Sequence, residues 1–81
     1  MTRKAKLKWH CRRGMRELDL LLDEFLESRY QALSAIERES FERLLSCRNE
    51  DLMEWLMEGG SPPDERLAAI VGQIKNRAIS E

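Results

Sequence analysis

The sequence predicts an all-α fold, a compact single-domain five-helix bundle over residues 1–81. Three observations carry this. Apolar residues recur at three- and four-residue steps in successive segments, the mark of helices with one buried face. Helix start and stop residues (Gly14, Ser34, Asn49, Gly59-Gly60, Pro62-Pro63) fall between those segments. No stretch combines two-residue alternation with the β-branched enrichment of strands. A chain of 81 residues has room for one modest core, burying roughly 60% of its unfolded surface. With 42% hydrophobic and 36% charged residues its composition is that of a folded domain rather than a disordered one.

The first helix is predicted over residues 5–13, docked through Trp9 as its one large anchor and Leu7 as a smaller one, with Gly14 as its stop. The second, over 15–30, has the strongest pattern: Met15, Leu18, Leu22, Phe25, Leu26 and Tyr30 form a stripe widened by Leu21. Asp19, Asp23, Glu24 and Glu27 take its other face, and Glu17 and Asp19 in the first turns suit the helix dipole. Ser34-Ala35-Ile36-Glu37 is a capping box that opens a third helix over 35–47, with Ile36, Phe41, Leu44 and Leu45 inward. Asn49 is expected to cap a fourth, over 50–58, that buries Leu52, Trp55 and Leu56 and closes at Gly59-Gly60. Ser61-Pro62-Pro63-Asp64 then breaks the chain, since proline cannot continue a helix. Leu67, Ile70, Val71, Ile74 and Ala78 are the stripe of a fifth helix over 64–78, whose last residues are expected to fray. Met15, Met53 and Met57 are candidates for adaptable contact residues.

Charge divides the chain. Residues 1–16, a basic N-terminal arm, carry seven basic side chains and no acid. From Glu17 onward, which takes in all but the start of the helical body (15–78), the chain carries the other seven basic residues and all fifteen acids. The arm is thus +7 and the remainder −8, concealed by a net charge of −1. Seven cations with Trp9 among them suit phosphate contact and base stacking. The acidic body opposes a polyanion beyond the arm, so nucleic acid is not expected as the partner.

Several classes are excluded on chemistry. No apolar run approaches the ~18–20 residues that cross a bilayer, so no membrane insertion is expected. No apolar segment follows the basic start, so no secretory signal is expected either. Cys11 and Cys47 form no metal-ligand pattern, and both are expected as reduced thiols in a cytosol-like compartment. His10 is the single histidine; adjacent His10 and Cys11 point in different directions and make neither a metal site nor a nucleophile pair. The four glycines build no phosphate loop. An enzyme is not expected.

What remains is the stretch Arg12-Arg13-Gly14-Met15-Arg16-Glu17-Leu18-Asp19, where the charge changes sign. Three arginines crowd the positive end of the second helix, where Arg16 is electrostatically unfavourable. A partner that supplies acceptors would account for them, because arginine can hold carboxylates or carbonyls bidentately. Gly14 allows a turn and a close approach, and Glu17 can accept donors from the same partner.

At these residues the sequence resembles the succinate dehydrogenase assembly factors, or flavinylation factors, in their bacterial form. Their Arg-Gly-x-x-Glu signature is met by Arg13-Gly14-Met15-Arg16-Glu17 within the run Trp9 to Asp19, and Leu52-Met53-Glu54-Trp55-Leu56-Met57 strengthens the likeness. The resemblance covers nearly the whole chain. It implies binding to the flavoprotein subunit of succinate dehydrogenase, and in bacteria often that of fumarate reductase. It also implies promotion of covalent FAD attachment to a histidine of that subunit by the flavoprotein's own chemistry. The chain would be a cytoplasmic, monomeric chaperone that holds no cofactor stably. Carried over by position, Arg13, Gly14 and Glu17 would be the motif surface, with Arg12, Met15 and Asp19 as flanking contacts. Members have also been described as antitoxins, which makes an antitoxin-type or nucleic-acid-binding regulator working through the basic arm the second reading.

Overall fold

Thr2 starts the first helix by accepting the Ala5 amide on its hydroxyl oxygen at 3.1 Å. In the computed structural model, residues 2–79 are described, with side chains through residue 76. The helices are α1 (Arg3–His10), α2 (Arg16–Arg29), α3 (Ala35–Leu45), α4 (Asn49–Leu56) and α5 (Glu65–Ile79). A single 3₁₀ turn, Tyr30–Ala32, extends α2 toward α3. No strand occurs among the described residues. α5 packs on α2, α3 and α4, while α1 lies across α2 and α3. The radius of gyration, 11.5 Å, matches the ~12 Å of a compact chain of this length.

Local signals place most boundaries. Ser34 Oγ accepts the Glu37 amide at 3.1 Å while Glu37 Oε1 accepts the Ser34 amide at 2.8 Å, which completes the predicted capping box. Asp64 caps α5, its Oδ1 accepting the Arg66 and Leu67 amides at 2.8 and 3.1 Å. Its carboxylate also meets Arg43 Nη2 at 3.0 Å, tying α5's start to α3. Gly59, with φ +84°, carries the chain out of α4, a conformation that costs glycine little.

The core is one cluster in which Leu18, Leu22, Phe25 and Leu26 of α2 meet Phe41, Leu44 and Leu45 of α3. Leu52, Trp55 and Leu56 of α4 and Leu67, Ile70, Val71 and Ile74 of α5 complete it. The predicted stripes of α2, α4 and α5 are buried except for Met15 and Leu21 of the α2 stripe, and the side chain of Ala78 lies outside the described residues. Met15, Leu21, Met53 and Met57 are half-buried against the cluster, so the methionines serve packing at least in part.

Four expectations need correction. Trp9 does not anchor α1: it is 65% exposed, and the buried residues are Leu7 and the capping Cys11. Leu7 and Trp9 are two residues apart, about 200° round a helix, so only one can face the body. Gly14 is not the stop of α1, which ends three residues before the predicted limit and is closed by Cys11. Ile36 is exposed, not inward; five residues before Phe41, it sits about 140° round α3 from that buried ring. Leu33, at the end of the 3₁₀ turn, is buried instead. Asn49 is the first residue of α4 rather than its cap; Arg48 holds the extended cap position without a side-chain bond. The Asn49 amide group points elsewhere, to the carbonyl of Arg13 at 3.5 Å.

Candidate partner-binding surface

The crossing from α1 to α2 is a four-residue corner, 12–15. It leaves α1 through bonds from the Cys11 amide to the Leu7 and Lys8 carbonyls (3.1 and 3.2 Å) and from the Arg12 amide to the Trp9 carbonyl (3.1 Å). It turns at Gly14, whose φ of +79° is a left-handed conformation that a side chain would strain. Gly14 is exposed, and apart from its own atoms and its two chain neighbours no described residue lies within 4 Å of where a Cβ would stand.

Asp19, in the first turns of α2, holds this corner from one side. Its Oδ1 accepts the Arg13 amide at 2.8 Å and its Oδ2 the Gly14 amide at 3.2 Å. Asp19's own amide is fixed to the Met15 carbonyl at 2.8 Å. Arg13 holds it from the other side. Its Nη2 donates to the Leu45 carbonyl and, at 2.9 Å, to the Cys47 carbonyl, at the end of α3. A cation suits that site, where a helix presents unsatisfied carbonyls and the negative end of its dipole. The sequence leaves the arginines' acceptors to a partner; for Arg13 the chain supplies two of its own.

Arg12, Gly14, Arg16 and Glu17 are exposed, and Met15 is half-buried. Among the described residues, neither Arg12 nor Arg16 makes an ion pair within the chain. Arg12 leans toward the Trp9 ring, its Cζ 6.0 Å from the ring centre. Beside the corner runs a groove of about 380 Å³ between α1 and α2, lined by Lys8, Cys11, Arg12, Asp19, Leu20 and Asp23. Burial, with Asp23 close by, pushes the Cys11 thiol up to about 12, so this side chain is a packed apolar group and not a nucleophile. Cys11 and Cys47 are both free thiols.

The surface therefore offers a bare glycine, two guanidiniums outside any ion pair of the described residues and a carboxylate, with exposed apolar groups at Trp9 and Leu20. Among the described residues no cluster of three metal-ligating side chains occurs, and no helix is long and apolar enough to cross a membrane. What such a corner can do is recognise another protein. Sequence reasoning missed Leu20, which is 56% exposed. Its signal was partly masked by the run Leu20-Leu21-Leu22: two residues from Leu18 and from Leu22, it falls about 200° round α2 from the buried stripe, among the acids.

Comparison with known proteins gives this corner a context. Residues 5–78 match the family model described as flavinator of succinate dehydrogenase. A protein named FAD assembly factor SdhE from Yersinia pseudotuberculosis is 47% identical over 74 residues, 91% of this chain and 84% of its own length. Proteins of the same name from Photorhabdus laumondii and Shewanella oneidensis are 46% and 43% identical over 91% of this chain, covering 84% and 90% of their own lengths. A match that takes in the corner and all but the outermost residues of the first and last helices leaves one assignment: the chain belongs to the flavinator of succinate dehydrogenase family.

Proposed function

We propose that the chain is an assembly factor that docks on the flavoprotein subunit of succinate dehydrogenase and promotes covalent attachment of FAD to that subunit. The observation that carries this is the Arg12–Glu17 corner. It has a left-handed, exposed glycine with Arg12 and Arg16, which make no ion pair among the described residues, on either side, in a chain 47% identical to a protein named for FAD assembly. The partner presents carboxylates or carbonyls to Arg12 and Arg16 and donors to Glu17, and its backbone approaches over Gly14. Arg13, Met15 and Asp19 complete the surface.

The mechanism is conformational. The factor binds one domain arrangement of the apo-flavoprotein more tightly than the others and so populates it. Holding flavin and acceptor side chain within reach of one another lowers the barrier to the bond between them. The chain supplies no reacting group, FAD stays in the partner's site, and the factor acts as a monomer in the cytosol. The flavoprotein of fumarate reductase is a second client of the same surface.

The nucleic-acid or antitoxin reading is disfavoured by how the arm is used. Arg3 pairs with Glu42, Lys4 with Glu27, and Lys8 with Glu27 and Asp23, while Arg13 is turned toward α3. A deletion strain tests the proposal by flavin fluorescence of denatured proteins in a gel. The succinate dehydrogenase flavoprotein is expected to lose its fluorescence and to regain it with the wild-type chain; undiminished fluorescence in the deletion strain overturns the proposal.

A further inference from the structure

We infer that Arg13 and Asp19 are positioning residues of the docking corner, holding its backbone from within, and that the partner is met by their neighbours Arg12, Gly14, Arg16 and Glu17. This rests on the docking reading above and divides its surface into two roles.

The division follows from which atoms are already engaged. A guanidinium grips a carboxylate with two parallel N–H groups. Arg13 Nη2 is engaged by the carbonyls of Leu45 and Cys47, and Arg13 Nε is buried with no acceptor among the described residues. The Nε/Nη2 edge is therefore closed to a visitor. Asp19 is engaged likewise, since each carboxylate oxygen already accepts a backbone amide of the corner. Asn49 adds a bond to the Arg13 carbonyl at 3.5 Å. The Arg13-Gly14 segment is thus tied to α2, to the end of α3 and to the start of α4.

A glycine turn needs such ties. Glycine loses more conformational freedom on ordering than any other residue, and an untied Gly14 would make the partner order it at each encounter. Bonds made within the free chain remove that cost before binding, which is what preorganisation contributes to affinity. The signature then has a physical division: its arginine shapes the turn, and its glycine and glutamate face outward.

The test compares Arg13→Ala and the near-isosteric Asp19→Asn with Arg12→Ala. Two quantities are read: amide exchange of the free chain, and affinity for the purified apo-flavoprotein of succinate dehydrogenase across a salt series. Arg13→Ala and Asp19→Asn are expected to speed exchange at the Arg13 and Gly14 amides and to weaken binding by about tenfold or more. Neither is expected to change the slope of log Kd against log salt, because neither removes a charge facing the partner. Arg12→Ala is expected to flatten that slope while leaving exchange at Gly14 as it was. Arg13→Lys, which keeps the charge but not the planar donor set, is expected to restore the affinity only in part. The assignment is overturned if Arg13→Ala flattens the salt slope with Gly14 exchange unchanged, the behaviour of a direct contact. It is equally overturned if Arg13→Ala or Asp19→Asn loosens the corner and leaves affinity intact. Failure of the wild-type chain to bind the flavoprotein is a separate result, and it overturns the docking reading together with this one.

Discussion

Lys8 Nζ lies 3.0 Å from Glu27 Oε2, bridging α1 to α2. The same ammonium is 3.8 Å from Asp23, Lys4 reaches Glu27 at 3.1 Å, and Arg3 meets Glu42 of α3 at 2.7 Å. The hydrogen bond to Glu27 raises the Lys8 pKa, and the same bond, with that from Lys4, lowers the Glu27 pKa. The basic arm therefore lies along acidic faces of its own chain. Much of the +7/−8 division is spent inside the molecule, and Arg12 and Arg16 are left over at the corner.

This makes α1 sensitive to salt. It is held by one buried leucine, its capping cysteine and a row of exposed ion pairs. Exposed pairs are screened as the Debye length falls from about 10 Å at 0.1 M salt to about 3 Å at 1 M. Over that range, amide exchange in α1 is expected to speed up while amides at Phe41 and Ile70 keep their protection. Equal responses in α1 and α5 would show that the ion pairs contribute nothing to docking.

The apolar attachment of α1 is expected to run through Leu7 and not Trp9. Leu7→Ala empties a buried site and is expected to cost about 2 kcal/mol, the low end for a buried leucine. For a domain of this size that lowers Tm by roughly 8–16 °C. Trp9→Ala removes a mostly exposed ring and a long cation–π contact, and is expected to cost under about 1 kcal/mol. Thermal denaturation of the two variants decides between them, and a larger loss from Trp9→Ala would return the anchor to the tryptophan.

That pair shows where the sequence was legible and where it was not. The Ser34–Glu37 capping box was readable because its partners are three residues apart and need only a helix to meet. The stripes of α2, α4 and α5 were readable because each repeats large apolar residues at three- and four-residue steps, as Leu52, Trp55 and Leu56 do in α4. On α1 the two large apolar residues, Leu7 and Trp9, stand two positions apart with no third to choose between them, and size alone favoured the wrong one. The inward turn of Arg13 depends on carbonyls 32 and 34 residues away, which no local pattern reports. Position and motif singled out the corner as the candidate surface; its internal wiring required the fold.

Acid is expected to loosen the helix starts. Glu37 has a lowered pKa, chiefly from the Ser34 amide and then from Gln73, and Asp64 a lowered one, chiefly from the Leu67 amide and then from Arg43. A carboxylate whose folded pKa lies below its unfolded value of about 4 stabilises fully above that value and loses the contribution as pH falls through the folded one. Tm is thus expected to stay level between pH 7 and 5 from these groups and to drop below pH 4. Glu37→Gln and Asp64→Asn retain capping ability without titrating, so the double variant should show a smaller acid drop. An unchanged drop would assign it to other carboxylates, with Glu27 and Glu42 next in line.

Gly14 separates backbone strain from surface bulk. At φ +79° any side chain is strained, by about 1–2 kcal/mol. No neighbouring atom obstructs a Cβ there, so Gly14→Ala and Gly14→Arg are expected to lower Tm by similar amounts, roughly 4–16 °C. Their effects on function are expected to diverge. Alanine adds one methyl group to an exposed turn and should retain most flavoprotein binding. Arginine projects a long cationic side chain from the point proposed for the partner's approach, and should abolish binding while the domain remains helical. In strains carrying each variant as the sole copy, in-gel flavin fluorescence of the flavoprotein should persist with Gly14→Ala and vanish with Gly14→Arg. If both variants support equal fluorescence, the partner does not approach over Gly14, and the contact surface must lie elsewhere, with the exposed Trp9 and Leu20 beside the α1–α2 groove as the next place to search.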